Sequence, residues 1–76
     1  MDPPHINYVD HQSILIVNPS GAMKQLFVPF QVKVAVSFKG IPANSLVMVE
    51  EVMPHQQHRI IYRIYTLWLP YWYFTI

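Results

Sequence analysis

The chain has 76 residues, a formal net charge of +1, no cysteine, a hydrophobic fraction of 53% and a charged fraction of 12%. This length allows one small domain, and the missing cysteines exclude disulfides and thiolate metal sites. A net charge so near zero excludes the strong long-range field with which basic proteins attract nucleic acid or acidic lipid.

The two ends of the chain show no targeting or spanning pattern. Residues 1–5 (MDPPH) lack the basic and apolar parts of a secretory signal. Residues 60–76 are apolar, but they fall short of the roughly 20 residues that a membrane helix needs. Arg63 and Pro70 also interrupt them. We therefore expect no membrane insertion, and the lack of cysteine fits a reducing, cytoplasmic location.

Local patterns along the first half of the chain predict short strands. Residues 1–12 are predicted to form a flexible N-terminal arm, and residues 13–76 to form a single β domain. A first strand is predicted over residues 13–17, followed by a turn at residues 18–21 (NPSG), where proline presets φ and glycine suits the fourth position. A second strand is predicted over residues 23–27, which Pro29 limits because it cannot donate to a ladder.

The clearest alternation covers residues 31–39. One face of this predicted strand carries the larger apolar side chains, namely Val32, Val34, Val36 and Phe38. Such a period of two is typical of a strand with one buried face. After a loop, further strands are predicted over residues 46–53, over residues 58–69 as the longest strand, and over residues 71–75.

Seven prolines and the many β-branched and aromatic side chains favour strands over helices. Five or six strands in so short a chain predict a mostly antiparallel, closed or nearly closed sheet, because long free edges invite aggregation. We therefore expect an all-β fold, a small five- to six-stranded SH3-like (or OB-like) barrel. The strand count, with Leu69-Pro70-Tyr71 before a short last strand, resembles SH3-like barrels in architecture, and this resemblance implies no residue roles.

The C-terminal segment carries seven of the eleven aromatic residues. A body this small cannot bury both faces of such a segment, and exposed Trp and Tyr are typical of protein interfaces. The competing interpretation is that these rings form the core. The first interpretation predicts a non-catalytic binding or accessory module that contacts a protein partner, or a second copy of the chain. The expected interface residues are Tyr65, Leu67, Tyr71, Trp72 and Tyr73.

A second candidate site involves the basic side chains. If residues 54–57 form the turn, Val52 pairs with Arg59 and Met48 with Arg63, so that Glu50 lies between the two arginines. A surface ion-pair cluster is the simpler interpretation, since it needs no ligand. The alternative is a nucleic-acid-binding module in which basic side chains hold phosphate and Tyr65 stacks on a base. Its patch consists of Lys33, Lys39, Arg59 and Arg63.

Other reactive side chains form no recognised motif. His55 and His58, with His11 beside Asp10, fall short of a metal site, so polar loop residues are the simpler interpretation and no metal or cofactor is predicted. Glu50 and Glu51 are adjacent on a predicted strand and should point to opposite faces, which prevents a paired acid and base. Two glycines are too few for a phosphate-binding loop, and no serine lies in a nucleophile elbow. We therefore predict that the chain is not an enzyme.

Overall fold

The computed structural model describes residues 5–76, and this part of the chain is all-β, as predicted. Besides one short 3-10 helix at Tyr71–Tyr73, it contains nine strands. They are β1 His5–Asp10, β2 Ser13–Val17, β3 Met23–Phe27, β4 Phe30–Val34, β5 Leu46–Val49, β6 Glu51–His55, β7 Arg59–Ile64, β8 Leu67–Pro70 and β9 Phe74–Thr75.

The strands form three antiparallel sheets of three strands each. Sheet 1 has the order β1-β2-β3, sheet 2 the order β5-β4-β9, and sheet 3 the order β6-β7-β8. Sheets 1 and 3 are meanders, because their neighbouring strands follow one another in the sequence. Sheet 2 joins distant parts of the chain, since the C-terminal strand β9 returns to pair with β4. The placement of β9 therefore depends on contacts between residues that are far apart in the sequence.

One apolar core lies between the three sheets. Its members are aliphatic or aromatic and come from every sheet: Ile14, Ile16, Phe30, Val32, Val34, Val47, Val49, Val52, Ile60, Tyr62, Ile64 and Phe74. Two rings near its centre meet edge to face, with the centroids of Phe30 and Tyr62 5.7 Å apart. Each fully buried side chain of this kind contributes roughly 1.5–3 kcal/mol by leaving water. The core therefore joins the three sheets into one packed domain.

The predicted five- to six-stranded SH3-like (or OB-like) barrel is wrong. In the described part of the chain the strands form three small sheets, and none of them closes on itself. Two of the predicted strands are interrupted. The stretch 46–53 breaks at Glu50, so β5 joins sheet 2 and β6 joins sheet 3. The stretch 58–69 reverses at Tyr65 and Thr66 into a hairpin.

Other local predictions have mixed outcomes. The strands at 13–17 and 23–27 are confirmed, and so is the turn between them, where the Gly21 amide donates to the Asn18 carbonyl at 2.9 Å. The strand predicted over 31–39 is too long, because β4 ends at Val34. Beyond it, Phe38 and Ile41 pair across a two-residue turn. Lys39 and Gly40 both have positive φ there, as tight hairpin turns require.

Within the predicted arm of residues 1–12, residues 1–4 lie outside the described residues. His5–Asp10 forms β1, which pairs with β2 from His5↔Val17 to Asp10↔Ser13, with an irregularity after Tyr8. Ile6 and Tyr8 pack against the core from this strand. In residues 5–76 no helix is long and apolar enough to cross a membrane.

Candidate functional site

The outer face of sheet 3 displays apolar side chains in register. Residues directly opposite one another in a sheet share a face. Trp68 lies opposite Arg63, and Pro70 lies opposite Ile61. Ile61 in turn lies opposite Met53 on β6. The other face of the same strands carries Tyr62, which is buried in the core. Sheet 3 therefore presents an outer face, pointing away from the core, on which these apolar side chains lie beside the charged Arg63 and Glu51.

Three exposed aromatic side chains lie on this face or at its two ends. Trp68 is 40% exposed on β8, and Tyr65 is 61% exposed in the turn between β7 and β8. Trp72 is 50% exposed in the short 3-10 helix that follows β8. We call these three rings, together with the half-buried Met53, Ile61 and Pro70, the aromatic surface.

The five residues predicted as an interface divide into two groups. Tyr65 and Trp72 belong to the aromatic surface and are exposed. Leu67, Tyr71 and Tyr73 are half-buried, and both tyrosines pack against the core. The rings therefore serve in part as core and in part as surface, a mixture of the two interpretations that the sequence left open.

If residues 58–69 formed one continuous strand, as the sequence predicts, alternation would place Trp68 on the same face as Tyr62. The hairpin turn places Leu67 opposite Ile64, so Leu67 takes the core face and Trp68 the outer face. The positive φ of Tyr65 marks this turn, and no glycine or asparagine signals it in the sequence.

Trp72 ends a series of neighbouring rings at the turn between β6 and β7. The centroid of its ring lies 6.3 Å from that of His58 and 4.7 Å from that of Tyr73. The rings of His58 and His55 stack with centroids 4.9 Å apart. The Nδ1 atom of His55 accepts hydrogen bonds from the amides of Gln57 and His58, each at 3.2 Å. His55 therefore stabilises the β6–β7 turn, which lies next to Trp72.

Arg63 is paired with both central glutamates. Its Nη1 atom lies 3.3 Å from Glu50 Oε2, and its Nε atom lies 3.3 Å from Glu51 Oε1. Glu51 faces Arg63 directly in the β6–β7 ladder, and His55 faces Arg59. The predicted pairs Val52–Arg59 and Met48–Arg63 are therefore wrong. Exposed pairs of this kind each contribute about 0–1 kcal/mol.

The prediction that Glu50 and Glu51 point to opposite faces is also wrong. Glu50 lies at the break between β5 and β6 and is not part of either strand. Its amide donates to the Arg63 carbonyl at 2.9 Å, outside the regular register. Because alternation fails at this break, consecutive carboxylates reach the same guanidinium group. Arg63 is thereby neutralised, which reduces its value for holding phosphate.

The remaining members of the predicted basic patch lie on separate elements. Lys33 is on β4, Lys39 is in the turn before Ile41, and Arg59 begins β7. All three are exposed. The nucleic-acid patch of Lys33, Lys39, Arg59 and Arg63 stays a prediction.

Asp10 and His11, which were also considered for metal binding, make structural hydrogen bonds. Asp10 Oδ1 accepts from the Gln12 amide at 2.8 Å and from the Ser13 hydroxyl at 3.1 Å. His11 Nδ1 lies 3.3 Å from the Val52 carbonyl oxygen. Across residues 5–76 no cluster of three or more His, Asp or Glu side chains could hold a metal ion. An open depression of about 420 Å³ lies over residues 37–42, away from these groups.

Comparisons of this chain with protein-family models, with curated proteins and with solved structures found no match. Functional proposals for it therefore depend on its own residues and geometry.

Proposed function

We propose that this protein is a non-catalytic binding module that contacts a protein partner through the aromatic surface. One observation carries the proposal: Trp68 and Trp72 are exposed, beside further apolar groups, on a chain of which 12% is charged. Contiguous exposed apolar surface on a small protein is typical of an interaction site. The absence of cysteine fits a cytoplasmic module of this kind.

The composition of the surface favours a protein partner. Tryptophan and tyrosine bring large contact areas with few rotatable bonds, and they are enriched among residues that dominate binding energy. Removing apolar area from water contributes about 25 cal/mol per Å², less the costs of association. Arg63 lies opposite Trp68 and pairs with Glu50 and Glu51, so the surface combines apolar side chains with a paired charged group. Protein interfaces usually combine apolar and polar groups in this way.

The backbone at Tyr65 supports the same proposal. Its φ is 58°, in the left-handed region that favours glycine, at the first position of a two-residue hairpin turn. A tyrosine there is strained, and its ring is exposed and so contributes little to the core. Strained positions held by an exposed side chain are often functional. We therefore include Tyr65 among the contact residues of the proposed interface.

The first test is site-specific photo-crosslinking in the cells that make the protein. A photoreactive phenylalanine analogue is placed at Trp68 or Trp72, and at the exposed residue Gln31 on β4 of sheet 2 as a matched control. We expect a discrete crosslinked protein from the first two positions and none from the third. Equal crosslinking at all three positions, or none at any, would contradict the proposal.

The second test separates binding from folding. We expect Trp72→Ala to remove the crosslinked species formed from Trp68, because the variant loses contact area at one end of the surface. Its unfolding midpoint in urea should stay close to that of the wild type, since the ring is half exposed. Loss of the folded state in this variant would instead assign Trp72 to the core, and the proposed interface would lose its main support.

A further inference from the structure

β3 is an edge strand whose outer side is open. Among residues 5–76, β2 is the only strand that pairs with β3. At one end of their ladder the Asn18 amide donates to the Ala22 carbonyl, and at the other the Val28 amide donates to the Gln12 carbonyl, each at 2.8 Å. Antiparallel ladders alternate between bonded and non-bonded pairs, so these two bonds determine which pairs between them are bonded.

The pattern leaves alternate residues of β3 with free backbone groups. Lys24 and Leu26 are the bonded residues, because they fall at even steps from Ala22. Met23, Gln25 and Phe27 therefore direct both N–H and C=O away from β2. Their side chains share one face, and Met23 is 70% and Phe27 63% exposed. An open ladder beside exposed apolar groups is a template for adding another strand.

The two edge strands of sheet 3 are protected, whereas β3 and the shorter edge strand β5 contain no proline. Proline lies within β6 and at the end of β8. On β6 the amide of Val52 is also occupied, since it donates to the His11 carbonyl at 3.1 Å. β3 contains no proline and no acidic residue, and it has one lysine. Proteins normally protect an exposed edge strand of this length. The free edge of β3 therefore indicates that another strand pairs with it.

We infer that β3 pairs antiparallel with β3 of a second copy of this chain, giving one continuous six-stranded sheet about a twofold axis at Gln25. With the axis there, Met23 lies opposite the partner's Phe27, and all three outward residues form hydrogen-bonded pairs. A methionine sulfur beside an aromatic ring is a favourable contact. The same surface patch then meets itself, as twofold symmetry requires.

Shifting the axis in either direction loses part of this fit. An axis at Lys24 places two lysines directly opposite each other, which is unfavourable on a sheet. An axis at Leu26 places Met23 opposite the partner's Pro29, which has no N–H to donate. The sequence of β3 is therefore self-complementary in one register. This inference is independent of the proposed function, because β3 lies in sheet 1 and the aromatic surface in sheet 3.

Sedimentation equilibrium and amide hydrogen exchange test the pairing on the whole chain. We expect the mass to rise with concentration from 9.0 kDa toward twice that value. Over the same range the amides of Met23, Gln25 and Phe27 should become protected from exchange, because they leave water. A mass that stays at that of the monomer, or association without protection of these amides, would overturn the inference.

Two double variants test the register. Met23→Lys with Phe27→Lys sets like charges opposite each other across the axis, whereas Met23→Glu with Phe27→Lys sets opposite charges there. We expect the first to weaken association at least about tenfold relative to the second at low salt, and high salt to narrow the difference. Equal association of the two variants would overturn the inference. The circular dichroism of both should match that of the wild type, since these side chains are exposed.

A pair of proline variants tests the backbone directly. Gln25→Pro removes the central outward N–H, and Met48→Pro is its control on the edge strand β5. The Met48 amide also points away from its neighbour, since the bonded Val34 amide and Ser45 carbonyl set the same alternation in sheet 2. We expect Gln25→Pro to abolish the concentration-dependent mass and Met48→Pro to preserve it. Association that survives Gln25→Pro would contradict pairing through β3.

Discussion

The Tyr62 hydroxyl is buried without a hydrogen-bond partner among residues 5–76. The ring is well packed, with centroids 5.7 Å from Phe30 and 5.9 Å from Phe74. An unpaired buried hydroxyl costs about 1–3 kcal/mol, so the ring stabilises the core while its oxygen opposes it. Burial, with a smaller effect from nearby Tyr71, raises the pKa of the Tyr62 hydroxyl well above its ordinary value.

Replacing this one oxygen should leave the fold intact and increase its stability. We expect Tyr62→Phe to raise the free energy of unfolding by about 1 kcal/mol, because the ring contacts remain and the unpaired hydroxyl is removed. Urea denaturation measures the difference, with Tyr65→Phe at an exposed ring as the matched control near zero. A loss of more than about 1 kcal/mol in Tyr62→Phe would show that the hydroxyl has a stabilising partner.

The same residue predicts an alkaline transition. Below the ordinary tyrosine pKa of about 10, Tyr62 is protonated in both folded and unfolded chains and adds no pH dependence. Above it the unfolded chain loses the proton and the folded chain keeps it, so stability falls as pH rises, by up to about 1.4 kcal/mol per pH unit. Urea denaturation between pH 9 and 11 should show a shallower decline in Tyr62→Phe than in the wild type, and parallel declines would contradict this prediction.

At the scale of single elements, turns and breaks decide which faces the strands present. The turn at Tyr65 exchanges the faces of the residues that follow it, and the break at Glu50 transfers the chain from sheet 2 to sheet 3. Neither position carries the glycine or proline that usually marks such a change. Lys39-Gly40, by contrast, is a tight turn whose glycine suits its φ of 79°.

At Tyr65 the strained backbone affects stability and the exposed ring affects binding, so one substitution distinguishes the two effects. We expect Tyr65→Gly to unfold at an equal or higher urea concentration, with a gain of up to about 1 kcal/mol, because glycine adopts positive φ freely. The same variant should lose crosslinking from Trp68, because the exposed ring is removed. A clear loss of stability would instead mean that the Tyr65 ring packs usefully against its neighbours.

At the scale of the whole molecule, charge is sparse and locally balanced. The net charge is +1, and Arg63 lies against two glutamates. We expect little binding to single-stranded DNA or RNA, because too few free cations are available to displace counterions. Fluorescence titration at two salt concentrations checks this expectation. Tight binding at low salt that weakens steeply with added salt would favour the alternative nucleic-acid function.

Local sequence patterns were sufficient for the class of fold and for several strands. The β-branched run 13–17 and the alternation at Val32 and Val34 predicted strands with buried side chains, and those side chains lie in the core. Both signals depend on neighbouring residues alone, since the strand period and the turn propensity are local. The aromatic C-terminus likewise indicated a candidate surface, of which Tyr65 and Trp72 are exposed.

Tertiary structure decided how the strands combine and which rings face outward. The return of β9 to β4 and the division of residues 46–53 between two sheets depend on contacts far apart in the sequence. Trp68 faces outward because the chain reverses at Tyr65 and Thr66, which contain no residue typical of a tight turn. Burial of an apolar side chain is favourable at any position in the fold. Composition therefore determines how much apolar surface the fold must bury, and long-range strand pairing determines which part of it stays exposed.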